Sequence, residues 1–192
     1  MPRKSAKEKD QLSNESVKKL VKEAFLPAFV LVITKLLSML ALPALLGYQY
    51  SVEWVWTIFP LSFVFETTEQ ALVVNSYANL VMYGMIFVGF FWVLVKSYHF
   101  HDSHIKPRTS AKLSELKMLH LITTSFELYH TAFVWFCFMW LSVIVISIYY
   151  LLGLSFIWVF IGTFLVSVLM TYLLIDDLEK EFLVWRLFHE NR

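Results

Sequence analysis

Charge is scarce in this chain: only 16% of its 192 residues are Asp, Glu, Lys or Arg, against about 25% in soluble domains. The scarcity is also uneven. Phe25–Leu46 holds one charged residue, and Ala71–Val95 and Phe156–Ile175 hold none. Runs of that length and emptiness exclude an ordinary soluble domain. Cysteine is rarer still. The single Cys137 lies in an apolar run, which excludes an intrachain disulfide and leaves the redox compartment open. A net charge of +1 says nothing about partners, but no basic patch of the kind nucleic acid requires is present, so no nucleic-acid partner is expected. No phosphate loop, nucleophile elbow or Ser–His–Asp pattern occurs, and no internal repeat or paired Gly/Pro interruption divides the chain into halves.

What is present is apolar. Hydrophobic residues make up 58% of the chain and aromatic residues 18%. A helix needs ~20 such residues to cross a ~30 Å hydrocarbon layer. The sequence therefore predicts an all-α integral membrane protein, a four-helix transmembrane bundle with interfacial segments. Its spans fall at about 25–46, 71–95, 120–150 and 156–175. The lipid bilayer is the first partner this implies, with a homo-oligomer or a larger membrane complex as further ones.

The flanking segments sort themselves by charge. Residues 1–24 are basic and polar, with a disordered first dozen and an amphipathic lead-in carrying Val17, Leu20 and Val21. They lack the short apolar core and cleavage site of a signal peptide, so the first span should remain as an anchor. Residues 51–65 are apolar but short, with Glu53 at one end, Pro60 inside, and Trp54 and Trp56 suited to headgroups. That favours an interfacial segment over a span. Residues 96–118 form a loop, and 176–192 a tail read as a short amphipathic helix returning to the membrane surface.

Basic residues orient the bundle. The N-terminal segment holds seven Lys or Arg, the 96–117 loop five, the tail three, and the segments 47–70 and 151–155 none. Positive residues stay on the cytoplasmic side. Four spans with both termini cytoplasmic satisfy every loop; a fifth span at 51–65 does not.

Two groups of residues carry chemistry. On the third span His120, Thr123, Glu127, His130 and Cys137 share one helical face. Lys35 in the first span lies ~15 Å from the inner boundary, Glu127 ~12 Å and Ser167 ~13 Å at 1.5 Å per residue. Lys35, Glu127, His130 and Ser167 thus make an expected intramembrane polar layer, with Lys35 and Glu127 paired. An unpaired charge at such depth costs at least ~2.5–3.5 kcal/mol. Asn75 and Asn79, one turn apart, could bond across helices, and Thr163, Ser167 and Thr171 form a small-residue stripe suited to packing.

The second group is YHFHDSH in the inner loop. His99, His101 and His104, with His120 further on, are candidate ligands for a divalent metal such as zinc. Glu127-x-x-His130 has the spacing of bundle di-metal sites, but such sites need two pairs and this chain has one.

Two function classes remain. One is a non-enzymatic small transporter or channel-like unit, or an accessory subunit of a membrane assembly, built on the charged layer. The other is an inner-face His/acid metal-dependent enzyme acting on a lipid or small molecule. Matched charge depth favours the first.

Overall fold

A computed structural model describes residues 6–54, 61–100 and 125–190, and the side chains of 18, 20–53, 63–97 and 128–180. It comprises α1 (Ala6–Leu46), β1 (Tyr50–Trp54), β2 (Leu61–Phe65), α2 (Thr68–Phe100), α3 (Ser125–Leu151) and α4 (Ile157–Glu190). Each helix contains a stretch long and apolar enough to cross a membrane: Leu20–Leu46, Thr68–Ser97, Leu128–Leu151 and Ile157–Lys180. Four such helices are what hydropathy predicted, and each overlaps one of the expected spans.

The ends of these helices follow from local chemistry. Gly47 and Gly153 adopt left-handed backbone, with φ of 70° and 71°. Each lets the following amide turn back to the carbonyl five residues earlier, Tyr48 to Pro43 at 2.9 Å and Leu154 to Tyr149 at 2.8 Å. That glycine cap ends α1 and α3. Thr67 Oγ1 accepts the Gln70 amide at 3.2 Å and caps α2, with Glu69 on the positive first turn.

α2 is the organising helix. It packs against α1, α3 and α4, and α3 likewise touches the other three. The main core lies along this α2–α3 seam, around Met82, Ile86, Phe90, Met139, Val143 and Ile146. Large apolar side chains remain exposed on every helix, among them Phe25, Trp92, Phe133 and Leu165. Such a surface suits hydrocarbon and not water.

Several expectations are corrected. Tyr50–Trp54 and Leu61–Phe65 pair as antiparallel strands, so the mostly helical fold carries a small sheet where none was expected. Tyr50 pairs with Phe65 and Trp54 with Leu61. Five-residue strands reach only ~17 Å, too short for either to cross a ~30 Å layer. Alternation and Val and aromatic content favour a strand over a helix here, a signal masked by the overall apolarity. The Tyr50 ring stands 6.1 Å from that of Phe63, and Phe63 and Phe65 settle on Met39, Val74 and Ala78. The hairpin therefore closes one end of the α1–α2 pair.

Residues 6–12, expected to be disordered, belong to α1. The tail, expected as a separate helix, continues α4 without a break. In both cases the helical run has no glycine or proline at the junction to stop it.

A cross-helix contact fixes α4 at its start. The Phe156 amide donates to the fully buried Ser76 Oγ at 2.8 Å. The substitution Ser76→Ala leaves that amide unpaired and should lower stability by about 1–3 kcal/mol, read as a lower Tm in detergent.

Candidate functional site

Polar side chains occur at three levels of the bundle. At the level nearest the hairpin stands Lys35. Its ammonium donates to Asn79 Oδ1 at 2.6 Å, to Asn75 Oδ1 at 3.3 Å and to the Asn75 carbonyl at 3.5 Å. The two asparagines are one turn apart on α2, so both carboxamides face the same seam. The Tyr149 ring of α3 lies 4.7 Å from the ammonium, within range of a cation–π contact. Among the described residues no carboxylate stands within salt-bridge distance of Lys35. Within this apolar helix the described partners of the cation are all neutral. Asn79 is fully buried, and its Nδ2 has no partner.

The middle level is hydroxyl-rich. Tyr83 and Ser167 share a buried hydrogen bond of 2.8 Å between α2 and α4. Trp140 Nε1 donates to Thr171 Oγ1 at 3.2 Å. Thr163 and Thr171 also donate back to carbonyls of their own helix, Val159 and Ser167. These groups saturate one another, as small polar residues do at helix interfaces in lipid.

The level furthest from the hairpin is acidic. Ser97 Oγ donates to the buried Asp177 carboxylate at 2.5 Å, and Tyr129 OH reaches the same oxygen at 3.4 Å. His130 Nδ1 meets Glu23 Oε2 at 2.5 Å, with Thr131 Oγ1 at 3.5 Å from it. All four helices contribute to this level.

The predicted layer is thereby divided. Lys35, His130 and Ser167 occupy three different levels. Lys35 stands against Tyr149, and Glu127 lies twenty-two residues earlier on α3, ~33 Å along a helix. No side chain bridges that distance, so the Lys35–Glu127 pairing does not form. The reason is spacing along α3: Tyr149, not Glu127, is the residue of that helix at the level of Lys35. The side chain of Glu127 lies outside the described residues. Cys137, expected on the inward polar face, is exposed.

His101, His104 and His120 lie outside the described residues, as does the side chain of His99. The metal expectation falls on them. Among the described residues no three His, Cys, Asp or Glu side chains converge as a metal centre requires.

Glu23 and Tyr83 were not singled out by sequence, and Asp177 was noted only as an acid on the same side as the histidines. Glu23 sits among the charges of the lead-in, and Tyr83 passes as one aromatic among many. Asp177 was counted with the tail; its position ten residues after Ser167 was the available signal.

Compared with protein-family models, curated proteins and solved structures, the chain matches none.

Proposed function

We propose that the chain is a small transporter or channel-like membrane unit in which Lys35 is the charge-bearing site. The observation that carries this reading is Lys35 itself. It lies inside the Leu20–Leu46 span, and among the described residues its partners are carboxamide, carbonyl and ring groups alone. An ionisable group in that setting is costly and marks an ion or substrate pathway. Structural packing would be met more cheaply by an apolar residue. The test is reconstitution: vesicles containing the purified protein should pass charge or a small charged solute under an imposed potential, and protein-free vesicles should not. Equal traces from both would overturn the reading.

The orientation belongs to the same proposal. With seven and three basic residues flanking them, the N-terminal segment and tail face the cytoplasm and the hairpin faces outward. In a Cys137→Ser background, an impermeant thiol reagent outside should label Gln49→Cys and spare Lys22→Cys. The reverse pattern would invert the topology.

A second reading, an accessory subunit of a larger membrane assembly, has one observation of its own. Only 17% of the apolar window of α1 is buried, against 44% for α2, which leaves α1 free for another chain. Purification in mild detergent separates the readings, because a subunit should carry a stoichiometric partner. The metal-enzyme alternative rests on His99, His101, His104 and His120. Metal analysis of the pure protein, with and without His101→Ala, tests it.

A further inference from the structure

Among the described residues Lys35 is supplied with oxygen atoms but not with a counter-charge. Buried charges in proteins are paired with opposite charge, and those left with neutral partners are destabilising. Among the described residues no acid fills that role at this level. Glu53, Glu66 and Glu69 of the hairpin end are exposed, and residues 55–60, VWTIFP, contain no acid. Glu23 and Asp177 are engaged at the opposite end by His130, Ser97 and Tyr129.

A second group at the same place asks for an acceptor. The Nδ2 of fully buried Asn79 is a donor with nothing to donate to. Its own Oδ1 takes the Lys35 ammonium at 2.6 Å. The nitrogen and oxygen of one carboxamide are ~2.3 Å apart, so this N–H pair lies within ~5 Å of the ammonium. One acceptor atom at ordinary hydrogen-bond distance from each donor, or the two oxygens of one oxyanion, spans that gap. The ammonium is also not fully committed. Its contacts to Asn75, at 3.3 Å and 3.5 Å, are at the long limit of hydrogen bonding and yield readily to a charged acceptor.

We propose that Lys35 Nζ and Asn79 Nδ2 together bind an oxyanion, a carboxylate or phosphate group, in the seam between α1 and α2. This rests on the transport reading and names the class of its cargo or permanent counter-ion. The anion supplies the missing charge, takes the idle amide hydrogen, and requires only that the half-buried Lys35 side chain shift off Asn75. The group can be carried by a free anion or by a lipid headgroup, since both present the same oxygens.

The experiment uses the full-length protein and reads Tm. Inorganic phosphate is titrated against the protein in neutral detergent at constant ionic strength. In parallel, phosphatidylcholine vesicles are compared with and without phosphatidylglycerol. A saturable rise in Tm with phosphate identifies a free anion; a rise only with phosphatidylglycerol identifies a headgroup. Either supports the site, provided Lys35→Met weakens the response at least about tenfold. Should Lys35→Met fail to fold, Asn79→Asp decides. It places a carboxylate beside the ammonium, so it should raise Tm without added anion and abolish the response. No response in the wild type, or an equal response in the variants, overturns the site. Flux without a saturable response would remove the anion site and leave the transport reading standing. A response without flux would do the opposite.

Discussion

Gly89→Ala should be among the most damaging single substitutions in the bundle, although it adds one methyl group. A Cβ built at Gly89 would lie 2.7 Å from Trp135 Cε3 and closer still to Cζ3 and Cη2. Real carbon contacts begin near ~3.5 Å, so helix or indole must move. Trp135 is only 9% exposed and packs in the core with Phe90, Leu128 and Met139. A rigid two-ring side chain has no flexible end with which to yield. Overpacking of this kind costs about 1–3 kcal/mol, and more where the backbone is displaced. Small residues serve this role between helices in lipid, where close approach replaces the hydrophobic effect as the driving force. The check is a double-mutant cycle on Tm in detergent. Gly89→Ala should lower Tm sharply, and adding Trp135→Leu should recover part of the loss. A Gly89→Ala protein as stable as wild type would mean that α2 and α3 do not pack at this point.

The second large effect is functional. Lys35→Met should reduce charge or solute movement in reconstituted vesicles at least tenfold, the equivalent of ~1.4 kcal/mol, while Tm holds or rises. Removing the cation relieves an insertion cost of about 2.5–3.5 kcal/mol. Against this stands the loss of hydrogen bonds to a charged group, worth about 1.5–3 kcal/mol, with Asn75 and Asn79 oxygens left behind. The two nearly cancel. Asn79→Leu should behave differently, because it keeps the cation and removes its one short contact, 2.6 Å. It should lower Tm by an amount corresponding to about 1.5–3 kcal/mol. A Lys35→Met protein that loses stability as Asn79→Leu does, yet keeps its flux, would make Lys35 a structural clasp.

The four long apolar helices were legible because hydropathy averages composition over a long window, and averages survive ignorance of tertiary structure. Helix ends at Gly47 and Gly153 were legible for a related reason, since left-handed caps select glycine locally. The hairpin was not. Its residues are as apolar as a span, and only their alternation and turn separation distinguish the two. The site was half legible. Lys35, Asn75 and Asn79 each stood out by being polar in an apolar run, but their meeting depends on how α1 and α2 align. The Lys35–Glu127 pairing failed because it assumed that a buried charge must find an opposite one within the same chain. It also measured depth from predicted boundaries, whereas Tyr149 is the α3 residue beside Lys35. The His130–Glu23 contact was hidden because Glu23 lies in a lead-in read as surface, whereas α1 runs unbroken through it.

Water access to Lys35 tests the central claim most directly. In a Cys137→Ser background the Lys35→Cys protein is reconstituted and exposed to small water-soluble thiol reagents and to a membrane-soluble one. A charge-bearing site on a transport path must be reached from the aqueous phase, so the account predicts modification by the water-soluble reagents. The anionic reagent should react faster than the cationic one when the asparagine amide donors are intact. Reaction with the membrane-soluble reagent alone would place this position against lipid or in a sealed interface, and would contradict the account.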